Sequence, residues 1–167
     1  MEALYLVAIL PPGPVDESIW QLKQEFAESF PSFKSTKVLP HITLVPPFRE
    51  DSSRAGFLAH DLTVLSSDCR RFALRLNGFQ HFGSHTIYAD VDQNEALAKL
   101  LTRLNRSNAQ PHMTIGYKNR DRFAFPKAWN AFKDRYFEAF FTVDSYWLLC
   151  FERGRWQRLC EIPLVAG

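Results

Sequence analysis

Pro40-His41-Ile42-Thr43-Leu44-Val45 and Pro111-His112-Met113-Thr114-Ile115-Gly116 are two copies of one pattern, Pro-His-apolar-Thr-apolar, set 71 residues apart. In a chain with 10 Pro, 5 His and 46% apolar residues, the tetrad Pro-His-apolar-Thr is expected by chance roughly 0.006 times, so a pair of them calls for a shared cause. Each copy opens a stretch that alternates polar and apolar residues, the pattern of a half-buried strand. Residues i and i+2 of a strand share a face. His41 and Thr43 therefore point one way and Ile42 and Leu44 into the core; His112 and Thr114 pair likewise against Met113 and Ile115. If the two strands lie side by side, two imidazoles and two hydroxyls converge on one point.

Outward from the motifs, strands are expected over Leu4–Leu10, Val38–Val45, Phe72–Phe79, His85–Val91, His112–Tyr117, Phe137–Val143, Ser145–Glu152 and Trp156–Leu164. Prolines 11, 12, 46 and 47 close the first two, and a Gly154 turn joins the last two as a hairpin. Ile19, Leu22, Phe26 and Phe30 recur at helical spacing from Pro14, with Asp16 and Glu17 near the start and Pro31 as the stop. Further helices are expected over Ser52–Leu65 (Phe57, Leu58, Leu62 and Leu65 inward), Asn94–Leu104 and Pro126–Tyr136. Many strands come in adjacent pairs, which favours α+β with largely antiparallel sheets over a doubly wound fold. Residues 1–167 fit one domain.

Phosphodiester cleavage suits the motif pair. One imidazole takes a proton from the nucleophile while the other gives one to the departing oxygen, and a pKa near 6.5 permits both roles at neutral pH. The two threonine hydroxyls donate to the non-bridging oxygens, where charge grows. Two plainer origins compete. A single His-x-Thr is most often structural, with the ring capped by a carbonyl and the threonine serving the strand; duplication argues against this. A catalytic zinc takes three protein ligands, and the motifs bring two histidines with no carboxylate at ligand spacing. No metal or cofactor is expected.

The net charge of +2 and a pI near 8.5 exclude a bare electrostatic nucleic-acid binder. Cys69, Cys150 and Cys160 form neither a disulfide framework nor a Cys-x-x-Cys pair, which suits reduced thiols in the cytoplasm. The opening MEALYLVAILPPGP lacks the basic start of a secretory signal, and no apolar run approaches a membrane span.

With the twin motifs in view, the chain resembles the 2H phosphoesterase superfamily, which includes the 2′-5′ RNA ligases and cyclic phosphodiesterases. The likeness extends over nearly the whole chain: the opening strand with its proline pair, the strand ending Pro46-Pro47-Phe48, and the closing hairpin at Gly154-Arg155-Trp156. It implies a two-lobed α+β fold with pseudo-twofold antiparallel sheets, helices outside and a central cleft to which each lobe gives one motif strand. It implies His41 and His112 as the catalytic pair, with His112 activating water and His41 protonating the leaving oxygen, and Thr43 and Thr114 as phosphate ligands. Substrates would be RNA-type phosphates: 2′,3′-cyclic ends, 2′-5′ linkages or ADP-ribose cyclic phosphates, with ligation as the reverse reaction. The chain departs from the family in its short Asn105–Gln110 segment and in lacking an Arg soon after each Thr. Arg49 lies well downstream of the first motif, and Lys118 takes the corresponding place after the second.

Tyr5, Phe48 and Tyr117 each have two readings, as cleft residues that stack a base or hold a phosphate, or as core aromatics. Lys118, Arg120 and Arg122 form either a nucleic-acid contact or a solvated loop. His60, His81 and His85 read as structural. The expected partner is an RNA end or small nucleotide, with no membrane and a monomeric chain. The rival function is a non-catalytic module that holds RNA ends or nucleotides in the same cleft.

Overall fold

The computed structural model describes residues 1–166. They form eight strands and four α-helices in the order β1 (Glu2–Ile9), α1 (Gly13–Ser29), β2 (Ile42–Asp51), α2 (Ala55–Leu65), β3 (Phe72–Phe82), β4 (Thr86–Val91), α3 (Glu95–Arg103), β5 (His112–Gly116), α4 (Phe125–Phe132), β6 (Glu138–Val143), β7 (Ser145–Glu152) and β8 (Arg155–Pro163). Local chemistry sets several boundaries. Pro14 sits in the first turn of α1, where its missing N–H costs no helix bond, and Asp16 favours that end of the dipole. The Asn94 side chain caps α3 by accepting from the Leu97 N–H at 3.1 Å. Arg153 and Gly154 have φ of 54° and 77°, so a two-residue turn of the primed type closes the β7–β8 hairpin.

The strands build one antiparallel sheet in the order β6-β3-β4-β5-β2-β1-β7-β8. The antiparallel α+β architecture is as expected, and the two four-stranded halves join through a single pair, Ile42 opposite Met113. The halves match strand for strand about this joint: β2 with β5, β1 with β4, β7 with β3, and β8 with β6. They also share an irregularity. Thr43 faces Ala8 and Val45 faces Val7; Thr114 faces Tyr88 and Gly116 faces Ile87. Each motif strand thus carries one extra residue directly after its threonine. Such bulges bend a strand and re-aim its side chains. At the second bulge only glycine fits, because a Cβ on Gly116 would lie 2.3 Å from the Phe26 ring.

All four helices bury their apolar stripes against one face of the curled sheet. That core holds Ile19, Leu22 and Phe26 of α1, Leu62 of α2, Leu97 and Leu100 of α3, and Phe132 of α4 over Ile42, Leu44, Met113 and Ile115. The opposite face carries a small second cluster of Leu6, Ala8 and Leu149.

Two expectations change. The strand read as Val38–Val45 begins at Ile42 and continues through Pro46 and Pro47 to Asp51. The prolines are tolerated because they fall where the β1 register shifts, between Val45 and Phe48, and because β5 pairs only with Ile42, so no ladder needs their N–H groups. In α2 only Leu62 is buried. Phe57 and Leu65 point to solvent at 63% and 47% exposure, since the helix rests on the sheet through Ala55, Leu58, Ala59 and Leu62. No helix among the described residues is long and apolar enough to cross a membrane, and Cys69, Cys150 and Cys160 are free thiols.

Candidate active site

Each motif histidine is oriented by the same local device. The His41 Nδ1 lies 2.8 Å from the Leu39 carbonyl oxygen, and the His112 Nδ1 lies 2.8 Å from the Gln110 carbonyl oxygen. A carbonyl only accepts, so both rings carry their hydrogen on Nδ1 and keep a bare lone pair on Nε2. The intervening Pro40 and Pro111 have a fixed φ and hold the preceding residue extended. The carbonyl two residues upstream is thereby placed under the ring, which gives the proline of the motif its purpose.

The sheet then brings the two copies together. With Ile42 opposite Met113, the antiparallel register sets Thr43 across from His112 and His41 across from Thr114. Side chains directly opposite have Cβ atoms about 5 Å apart and diagonal ones about 7–8 Å. The imidazoles therefore stand on a diagonal of a four-cornered site, each beside a hydroxyl. Ile42, Leu44, Met113 and Ile115 are all fully buried on the other face, which fixes the direction of the quartet. Among the described residues neither threonine hydroxyl and neither Nε2 has a protein hydrogen-bond partner; all four face the cleft uncommitted.

Burial governs the electrostatics. It pushes His41 down to about 4, against the Leu39 hydrogen bond and helped by the nearby charges of Lys23 and His112. Burial also lowers His112, opposed by the Gln110 carbonyl. Both shifts favour the neutral ring at pH 7 in the free protein.

The second half adds aromatic walls that the sequence did not reveal. Tyr88 stands across from Thr114, and Asp90 across from His112. The His112 ring lies 4.9 Å from the Phe82 ring and 5.1 Å from that of Tyr88. A separate hollow of about 730 Å³ opens between α3 and the ends of β4 and β5, lined by Asp90, Asn94, Leu97, Leu101, Gln110 and Pro111; no motif histidine or threonine lines it. The signal for Tyr88 and Asp90 lay in the alternation of β4, but it needed the β4–β5 register to be read.

The remaining candidates scatter. Tyr5 belongs to the core: it is 1% exposed and packs on Phe48 with ring centroids 5.8 Å apart, so it has no surface to offer a substrate. The reason is that β1 turns Tyr5, Val7 and Ile9 toward the helices and Leu6 and Ala8 toward the cleft. Phe48 is half-buried against the same core. Tyr117 follows the second bulge. With Ile115 and Gly116 both turned toward the core, the alternation shifts by one and brings Tyr117 out on the Thr114 side, half-buried. Lys118 is exposed in a left-handed turn at φ 50°, about 13 Å beyond Thr114 along an extended strand.

Lys23 of α1 was missed altogether. It is 1% exposed, and its Nζ donates to the carbonyls of Val38 at 2.9 Å and Ser35 at 3.4 Å, while lying 5.7 Å from the Trp20 ring centre. Burial brings its pKa down to about 8. The segment it grips is also tied to β5. The Lys34 and Tyr117 backbones exchange two 2.8 Å bonds, and the buried Ser35 hydroxyl reaches the Ile115 carbonyl at 2.7 Å. Lys23 thus holds the approach to His41 against the second motif strand. The sequence signal was its place four residues after Ile19, on the apolar stripe of α1. Lys23→Met should keep the fold, raise the apparent pKa of the limb to which His41 contributes, and lower kcat more than it raises KM. A pH–rate series on the variant checks this; a profile superimposable on wild type would contradict it.

Comparisons with known proteins agree with this fold. The sequence profile of the 2′-5′ RNA ligase superfamily matches residues 11–155. GK0864 of Geobacillus kaustophilus, which carries a provisional phosphoesterase name, is 28% identical over 98% of this chain and 96% of its own length. Among solved structures, Escherichia coli LigT in complex with 3′-AMP superposes with a TM-score of 0.68 at 19% identity, covering 98% of this chain and 99% of that one. TT0787 of Thermus thermophilus superposes with a TM-score of 0.66 at 15% identity, covering 98% and 99%. The chain belongs to the 2′-5′ RNA ligase superfamily, within the 2H phosphoesterases.

Proposed function

We propose that this protein is a phosphodiesterase that needs no metal and cleaves, or in reverse forms, a phosphodiester at a ribose 2′ or 3′ position, with His41 and His112 sharing the proton transfers. The observation that carries this reading is the duplicated histidine geometry: two rings in one tautomer, each Nε2 bare, set diagonally with a free threonine hydroxyl beside each. Hydrolysis of a 2′,3′-cyclic phosphate needs those parts. A water oxygen forms the new bond to phosphorus and gives its proton to one neutral imidazole. The P–O bond to a ribose oxygen breaks opposite, and that oxygen takes a proton from the other, protonated imidazole. Thr43 and Thr114 donate to the non-bridging oxygens as their charge grows. The roles of the histidines exchange in the reverse direction. LigT is described in complex with 3′-AMP, a ribose 3′-phosphomonoester of the kind this hydrolysis would release, which supports the same substrate class here.

The reactive form carries one proton across the histidine pair. In the free protein that pair titrates below the ordinary histidine value, with His41 near 4 and His112 also lowered. Below both values each ring is protonated and the base is lost; above both, each is neutral and the acid is lost. The expected kcat/KM profile is a bell with its maximum on the acid side of neutral. Turnover of 2′,3′-cyclic nucleotides and 2′-5′ dinucleotides in excess chelator, with products identified and pH varied, is the test. Loss of activity on chelation, or tight binding with no product from any member of the panel, would refute the reading.

A further inference from the structure

The cleft face of the first half carries a planar cation, beyond Arg49 at its edge, that the proposed chemistry does not use. Ala8 is the cross-strand partner of Thr43 on one side and of Trp147 on the other. Directly opposite residues in an antiparallel sheet share a face, so Thr43, Ala8 and Trp147 lie in one row across the cleft side. Strands are spaced about 4.8 Å apart, which puts Trp147 about 10 Å from Thr43. On the next strand Arg158 stands across from Leu149, a member of the same cleft-side cluster as Leu6, Ala8 and Trp147. Its guanidinium lies over the Trp147 ring, 5.2 Å from the centroid.

Arg158 is exposed and forms no ion pair among the described residues. Asp16, at the start of α1, senses its charge without bonding to it. A guanidinium laid flat on an indole keeps its N–H edges free and pointed outward in a fixed plane, an arrangement suited to a phosphate oxygen pair. The other end of the quartet has the opposite character. Asp90 stands directly across from His112, a carboxylate that would repel a second anionic group. The first half thus offers an unpaired guanidinium, with the nearby Glu161, across from Trp147, engaged by the Ser145 hydroxyl at 2.7 Å, where the second half sets a carboxylate.

Resting on the phosphodiesterase reading above, we propose that Arg158, held by Trp147, binds a second phosphate of the substrate, one nucleoside away from the phosphate held by the threonines. The chain would then take nucleotides phosphorylated at both ends of the ribose in preference to those with a bare 5′-hydroxyl.

Calorimetric binding of adenosine 3′-monophosphate and adenosine 3′,5′-bisphosphate tests this without requiring turnover. Wild type should bind the bisphosphate about tenfold more tightly, the worth of one charge-assisted contact. Arg158→Met should bring the affinity ratio to about one, Arg158→Lys should retain part of it, and Trp147→Leu should reduce it by releasing the guanidinium. Thermal unfolding midpoints near that of wild type show that the variants fold. The dinucleotide ApAp separates sources: a gain shared by ApAp identifies an RNA chain as ligand, and a gain confined to the bisphosphate identifies a free 5′-phosphate. Equal affinity of wild type for the two mononucleotides, or a ratio untouched by Arg158→Met, overturns the proposal. If the ratio behaves as expected but no cyclic nucleotide is turned over, the subsite stands and the catalytic reading falls.

Discussion

His41→Ala lowers kcat on a confirmed substrate by about 10²- to 10⁴-fold, and His112→Ala does the same. The expectation follows from the tautomer that the structure fixes. Each Nδ1 is committed to a carbonyl, Leu39 for one and Gln110 for the other, so each ring has a single nitrogen left for chemistry. Neither can do both transfers at once, because the attacking and departing oxygens lie on opposite sides of phosphorus. Removing one ring leaves half of a paired operation, and the double variant should fall little further than the worse single one, since groups that act as a unit lose their effect together. Single-turnover rates on folded variants measure this. Near-normal turnover in either single variant would show that the pair does not share the work.

Thr43→Val and Thr114→Val each lower kcat by about 10²- to 10³-fold while changing KM less. Valine keeps the shape and the strand preference of threonine, so the change isolates the hydroxyl. Neither hydroxyl has a protein partner to lose among the described residues, and the sheet stays intact around Ile42 and Met113. What is lost is a donor fixed in the cleft before the charge develops. If KM rose strongly with kcat unchanged, the threonines would bind substrate and transition state alike, and their catalytic share would be refuted.

The twin motifs and their alternation were legible because a strand has only two faces: once His41 and Thr43 were placed on one, Ile42 and Leu44 had to be on the other. The helix from Pro14 was equally plain in its spacing. What escaped depends on pairing between distant strands. Nothing local says that Tyr88 and Asp90 face Thr114 and His112, or that Ala8 links Thr43 to Trp147. The prolines at 46 and 47 read as a stop because their tolerance comes from a register shift against β1 and an unpaired edge. Tyr5 kept two readings, cleft or core, because its face is set by the partner strands. Lys23 stood on the stripe of α1 in plain view, but a lysine among Ile19, Leu22 and Phe26 gives no hint of the Val38 and Ser35 carbonyls that receive it.

Histidine nitrogen NMR, with inorganic phosphate titrated into the protein at pH 7, asks most directly whether two imidazoles attend one phosphate. In the free protein both His41 and His112 should appear neutral, with hydrogen on Nδ1 and none on Nε2. Phosphate should shift both Nε2 signals together, with a single affinity, toward the protonated position. A response confined to one ring, two separate affinities, or rings found with hydrogen on Nε2 would contradict a shared site.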